Sequence, residues 1–248
     1  MFRFAKCKDL IDLKLKHRDK WSIKYDMYLI KTMDKKFKYV EEVFQWNLKE
    51  MGRLFCTDNI VKPRRKKILE VGAGYNLYFD RIFGKNHEVW MVDNANYYNE
   101  KVFRRALKKR KRTRHVIDLM GNFSNELPNE YFDIIVSVSV LEHVPQDNLE
   151  NCYKDMFRVL KPNGIIAHSI DIDFSETESL PKNHYEAIQN AGFKFDNKMD
   201  IEWVLGPSTD EKTLLQPLVN VFGFWRLNWK VPIGKETPIT TILCRATK

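Results

Sequence analysis

The 248-residue sequence is poor in the residues that mark several whole classes of protein. Its four cysteines, Cys7, Cys56, Cys152 and Cys244, lie far apart with no CxxC, so neither a zinc-knuckle spacing nor a dense disulfide framework is available. Free thiols in a reducing compartment are expected. Ten glycines and nine prolines exclude collagen-like, Pro-rich and low-complexity chains. No apolar run approaches the roughly 20 residues that span a bilayer, the longest clear one being Ile134 to Leu141. The amino-terminal stretch MFRFAKCKDL is interrupted by charge rather than shaped like a signal peptide. A cytoplasmic location without a membrane span is the expectation. What is present, 44% apolar and 30% charged residues, suits one substantial core with additions.

The formal net charge of +9 is unevenly spread. Residues 1–67 carry 19 Lys and Arg against 9 Asp and Glu, whereas residues 115–248 carry 12 against 19. Between them, Lys101 to Arg114 holds nine cations and no acid. Val102, Phe103, Ala106 and Leu107 form an apolar stripe there, which predicts a helix packing one face and projecting cations from the others. A phosphate-rich partner could dock on it, but no aromatic residues for base stacking alternate with the cations, so a solvated helix face is the plainer reading.

Residues from about 8 to 55 place apolar side chains such as Leu10, Leu13, Tyr28, Val40, Phe44 and Leu48 at helical spacings, predicting an N-terminal helical cap over 1–65. From 66 to 248 the pattern changes to strands alternating with helices. Strands are predicted at 67–71, 88–92, 115–117, 131–138, 164–170, 200–204 and 240–246, with helices near 77–83, 98–110, 148–159 and 183–191. An aromatic, partly cationic insertion, about 203–235, includes Trp203, Phe224, Trp225 and Trp229 and is a candidate wall for an acceptor. Such alternation implies right-handed crossovers and a doubly wound α/β fold whose sheet is mostly parallel.

In sheets of this kind ligands bind beyond the carboxyl ends of the strands, where strand order reverses. Glu70-Val-Gly72-Ala-Gly74-Tyr-Asn76 follows the first of these strands, and its glycines permit a tight turn with close approach to bare backbone. Asp93, followed by Asn94, ends the next strand 21 residues beyond Gly72, a spacing that suits a carboxylate accepting from two ribose hydroxyls. A nucleoside is expected. Leu77 stands where a dinucleotide fingerprint would want a third glycine, and Glu70 would repel a pyrophosphate. A carboxylate there suits a cationic ligand. The same rule selects Asp118 and Leu119 after the third strand, Ser137 to His143 after the fourth and His168 to Asp173 after the fifth.

These residues carry a resemblance. ILEVGAGYN, VWMVDN, VIDLM, FDIIVSVSVLEHV and RVLKPNGIIAHS, in this order, resemble the class I S-adenosylmethionine-dependent methyltransferases, particularly those acting on small molecules, over about residues 66 to 175. The resemblance implies a seven-stranded Rossmann-like sheet and S-adenosylmethionine as cofactor. It implies Glu70 near the amino end of the methionine moiety, Gly72, Gly74 and Asn76 in the cofactor turn, and Asp93 on the ribose. It also implies Asp118 on the adenine amino group, and Ser137 with Val138 beside the sulfonium. Asn76 departs from the family's frequent third glycine, and Tyr75 is bulky for that loop.

Methyl transfer from a sulfonium needs mainly an in-line arrangement, and a hydroxyl acceptor additionally gains from a base. His143 and His168 both lie at strand ends and are the candidate bases. No metal is expected, although His168, Asp171 and Asp173 lie close in sequence. The leading expectation is O-methylation of a small metabolite or a sugar-containing acceptor. Alternatives are an RNA methyltransferase using the basic 101–114 helix and a non-catalytic S-adenosylmethionine-binding scaffold. The acceptor and the oligomeric state are not legible in the sequence.

Overall fold

The computed structural model describes residues 2–4, 48–60, 65–74, 78–94, 113–173, 180–195 and 239–248. Its elements in chain order are strand β1 (Phe2–Phe4), helix α1 (Leu48–Ile60), β2 (Lys67–Val71), α2 (Tyr78–Phe83), β3 (Glu88–Val92), β4 (Arg114–Val116) and β5 (Phe132–Val138). A 3-10 turn (Leu141–His143), α3 (Gln146–Val159), β6 (Leu160–Asp173), α4 (Leu180–Asn190) and β7 (Ile239–Thr247) complete the set. The strands form one seven-stranded sheet in the order β1-β7-β6-β5-β2-β3-β4. β6, β5, β2, β3 and β4 run parallel, β7 is antiparallel to β6, and β1 pairs antiparallel with the outer edge of β7. The chain thus winds outward from β2 to β4, then returns to the other side of β2 as β5, and the reversal lies between these two central strands.

The sheet parity sorts the core. Leu69, Val71, Val92, Ile135, Ile166 and Ile170 belong to one buried cluster with Tyr153, Met156 and Ile188 of α3 and α4. The neighbouring positions Glu70, Val136 and Ala167, in register across three strands, face the other layer. That layer contains α1, which lies on β5, β6 and β7. Gly52 makes the contact close, because a Cβ there would overlap the Ser169 side chain and meet Val138 Cγ1 at 3.1 Å. Two parts of the expected 1–65 cap therefore belong to the sheet and its covering layer: β1 pairs with β7, and α1 packs on the central strands. Helical periodicity reports an apolar face but not what it covers.

Two other expectations shift. β6 begins directly after α3 at Leu160 and runs to Asp173, longer at both ends than 164–170. A register irregularity between Phe132 and Ile134 accommodates the KPNG stretch, with Asn163 at φ 63°. The seventh strand is β1. The expected strand at 200–204, the helix near 98–110, the basic 101–112 run and the 203–235 insertion lie outside the described residues. Cys56, Cys152 and Cys244 are free and buried. Among the described residues no helix is long and apolar enough to cross a membrane.

At the amino ends of the strands, cations and aromatics interlock. The Lys67 ammonium sits 3.4 Å from the Tyr131 ring centroid, and the Arg114 guanidinium 4.4 Å from that of Trp90. Glu88 Oε1 accepts from Trp90 Nε1 at 2.8 Å and from the Tyr131 hydroxyl at 2.6 Å.

One buried carboxylate fixes the loop after β4. Asp155 of α3 is fully buried and accepts from the Gly121 N–H at 2.9 Å, the Phe123 N–H at 3.1 Å and Arg158 at 2.7 and 2.9 Å. Arg158 in turn donates to Leu127 O, Ser124 O and Asn129 Oδ1. Asp155→Ala would leave two N–H groups and a guanidinium without their acceptor, a loss of about 3–5 kcal/mol. Thermal unfolding followed by circular dichroism is expected to show a midpoint lowered by roughly 10 °C. A midpoint near that of the wild type would show that the loop does not depend on this carboxylate.

Candidate active site

The carboxyl ends of β2 and β5 meet at a glycine turn. Gly72 has φ 69° and Gly74 φ 56°, a region that favours glycine. The Gly72 N–H donates to Val92 O at 2.9 Å, and a Cβ at Gly72 would overlap the Val140 side chain that follows β5. Space and dihedral both require the glycine. The Gly74 N–H donates to Asp93 Oδ2 at 3.0 Å, so the acid ending β3 is held against the turn ending β2. The sequence spacing anticipates this proximity. Asn94 is half-buried beside Asp93, and Asn76 lies outside the described residues.

Glu70 is 6% exposed on β2, two residues before Gly72. Its carboxylate accepts from the Phe79 N–H at the start of α2, while Oε2 has no hydrogen-bond partner among the described residues. Burial drives its pKa up to about 8, against the downward pull of the Arg53 guanidinium on α1. A carboxylate buried this way gains most from a cation arriving beside it.

The Asp118 carboxylate accepts through Oδ1 from its neighbour Leu119 N–H and from Asn122 Nδ2, both at 2.7 Å. Burial raises its pKa, but hydrogen bonds from Asn122, the Leu119 N–H and Ser124 outweigh that and hold it below the usual carboxylate value. Around it Ile117, Leu119 and Phe123 stand exposed, at 64%, 52% and 43%, an apolar rim next to an acceptor. His115 on β4 is half-buried, and burial lowers its pKa although Asp93 and Glu126 pull the other way.

The two candidate bases are separated. His143, in the turn after β5, has a side chain 80% exposed, with Glu142 4.0 Å away. It stands in solvent on the segment that carries Val140 against the glycine turn. His168 is fully buried, and neither ring nitrogen has a hydrogen-bond partner among the described residues. Its register partner is Ser137, also fully buried, so both point to the face opposite Glu70. There His168 lies 6.1 Å from the Tyr153 ring, and the Tyr153 hydroxyl lies 2.8 Å from His184 Nδ1. Burial, with a smaller push from His184, lowers the His168 pKa to about 3. A shielded imidazole of such low basicity is a core group, and we do not retain it as a base. Ser137 likewise reaches the site only through its backbone, while Val138 is half-buried beside Gly52 of α1. No group of three or more His, Cys, Asp or Glu side chains among the described residues is placed to hold a metal ion.

A family model described as a methyltransferase domain matches residues 39–206. No curated protein matches the sequence. Among solved structures, the chain is similar to phosphoethanolamine N-methyltransferase 2 of Haemonchus contortus, solved with phosphomonomethylethanolamine and S-adenosylhomocysteine. The identity is 14% and the TM-score 0.56, over 96% of this chain and 60% of that one. It is also similar to the [4+2]-cyclase SpnF, at 14% identity and TM-score 0.54 over 87% and 84% of the two chains. An S-adenosylmethionine-dependent methyltransferase of Mesorhizobium loti shares 14% identity and a TM-score of 0.52 over 82% and 100%. With the family model spanning about two thirds of the sequence, the chain belongs to the methyltransferase-domain family and is a class I S-adenosylmethionine-dependent methyltransferase. The residues fit a cofactor with a cationic end: Glu70 keeps a buried carboxylate oxygen without a hydrogen-bond partner among the described residues. Arg53 and His115 were not singled out by the sequence. The available signal for Arg53 was Gly52 interrupting a helical pattern, which marks close backbone approach.

The buried pair His168 and His184 gives the fold an acid limit. Both have pKa values lowered by burial to about 3 from 6.5. Well above pH 6.5 both are neutral whether folded or unfolded and contribute no pH dependence. As the pH falls below that value, the unfolded chain takes up protons that the folded chain refuses, so stability falls until the folded pKa is reached. Urea unfolding is expected to lose up to about 2.7 kcal/mol per pH unit from these two groups. His168→Leu should remove about half of that slope; an unchanged slope would contradict the burial of a neutral imidazole.

Proposed function

We propose that the enzyme transfers a methyl group to a hydroxyl of a small metabolite or sugar-containing acceptor, with Glu70, the Gly72–Gly74 turn, Asp93 and the Asp118 loop holding the cofactor. The bound cofactor supplies a methyl group already activated on a sulfonium. The protein's tasks are then to bind, align and exclude water. Glu70 receives the ammonium of the methionine end. Asp93, steadied by the Gly74 N–H, receives the ribose hydroxyls, and Asp118 with the apolar rim of Leu119 receives the adenine. The backbone of Ser137 and the Val138 side chain border the reacting centre, and Asn76 and Asn94 complete the turn and strand end around the nucleoside.

The observation that carries the choice of a hydroxyl acceptor is His143. It is a solvent-facing imidazole on the turn leading away from the strand end that abuts the cofactor turn, where it can take a proton from an incoming acceptor. An amine acceptor needs no such group. The RNA reading rests on the basic 101–114 stretch and on no feature of the described residues. The scaffold reading draws on SpnF, described as a cyclase, since a shared fold does not fix the reaction.

Two measurements test this. Asp93→Ala removes two charge-assisted hydrogen bonds to the ribose, and calorimetry with S-adenosylhomocysteine is expected to show affinity lowered by about 10- to 100-fold. Near-normal affinity would refute the ribose assignment. With a labelled methyl donor and pooled acceptors including nucleotide sugars, amines and total RNA, His143→Ala should lower kcat by about 100-fold on the accepted hydroxyl compound. Turnover of amines or RNA, or an unaffected His143→Ala variant, would overturn the hydroxyl reading.

A further inference from the structure

We infer that the layer between the sheet and helices α3 and α4 holds an internal hydration site, in which ordered water joins the side chains of Ser137, His168 and His184. The inference stands apart from the cofactor reading. It accounts for a serine and a histidine set side by side on two strands whose other residues in this layer are apolar.

Placement comes first. Ser137 of β5 and His168 of β6 are register partners, so their side chains leave the same face of the sheet as neighbours. Tyr153 of α3 and His184 of α4 close over them. The Tyr153 ring centroid lies 6.1 Å from that of His168 and 5.9 Å from that of His184. All of these residues are fully buried.

Pairing comes next. The Tyr153 hydroxyl meets His184 Nδ1 at 2.8 Å. The Ser137 hydroxyl, both ring nitrogens of His168 and His184 Nε2 have no hydrogen-bond partner among the described residues. Buried polar atoms are nearly always matched, and leaving several unmatched in one place costs more than fixing a water molecule there.

The inventory of donors and acceptors then selects the ligand. Burial raises the Tyr153 pKa well above its ordinary value, so the phenol keeps its proton and donates it to His184 Nδ1. His184 therefore carries its own proton on Nε2 and offers a donor. Burial keeps both imidazoles neutral, so His168 offers one donor and one acceptor, and the Ser137 hydroxyl can act as either. A cation would find too few acceptors in this compartment, and an anion would find no countercharge. Water, which both donates and accepts, matches every group. Bound there, it ties β5 and β6 to α3 and α4 on the face away from Glu70, just before the segment that carries Val140 over Gly72.

Water-to-protein nuclear Overhauser spectroscopy on isotopically labelled protein, at a pH well above the imidazole range, tests the site. The wild type is expected to show long-lived water contacts at the Ser137 β-protons and at the ring protons of His168 and His184. Ser137→Ala, which is close in volume, should lose the water contact at His168. In urea unfolding, Ser137→Ala and His168→Leu should each raise the unfolding equilibrium constant about 5- to 30-fold. The double variant should raise it by less than the product of the two, because the second change removes a partner of water already lost. Wild-type protein without water contacts at these protons overturns the inference. A direct bond between the Ser137 hydroxyl and a His168 ring nitrogen, or single effects that simply multiply, also overturns it. Should His168→Leu fail to fold, the spectra of the wild type and Ser137→Ala decide.

Discussion

A carboxylate kept out of water at the end of a buried strand sets the terms for everything around it. Glu70 occupies a position where parity turns its side chain into a covered layer, and burial alone would favour an apolar residue there. The glycine turn two residues on, the α2 N–H that reaches back to it and the guanidinium from α1 are all arranged about that carboxyl group. Glu70, buried on β2, is followed at the end of β3 by a second acid, Asp93, which the Gly74 N–H pins to the turn.

The reversal of strand order explains why these groups meet. β2 and β5 are neighbours in space but are separated in sequence by β3 and β4, and Val140 packing over Gly72 is the physical expression of that neighbourhood. Asp155 and Arg158 extend the same logic outward: a helix on one face of the sheet fastens the loop that displays Asp118 on the rim. The rim that carries the glycine turn and the Asp118 loop is thus braced from both faces, by α1 on one and by α3 on the other.

Much of this was legible in the sequence, for reasons that differ by residue. Gly72, Gly74 and Asp93 could be read because their backbone requirements are local and their spacing is set by one βαβ unit. Among the described residues the order of strands and helices from β2 to α4 followed from periodicity, whereas β1 was not expected. His168 was misread because an apolar run does not reveal where a strand stops. β6 continues to Asp173, so His168 lies inside the sheet, and its parity with Ser137 sends it under α3 and α4 rather than to the mouth. Likewise, the spacing of apolar residues in 48–60 announces a helix but not its partner, so α1 was placed in a cap instead of against β5, β6 and β7. Arg53 needed that packing to acquire meaning.

The interlock of Lys67, Tyr131, Glu88, Trp90 and Arg114 lies at the rim opposite the cofactor turn. The strands are therefore fastened at both ends, here by rings and cations and at the glycine-turn end by the buried Asp155 and Arg158. A sheet tied at each rim holds the spacing of its strand ends fixed, so the groups mounted on those ends keep their mutual distances when the surface around them changes.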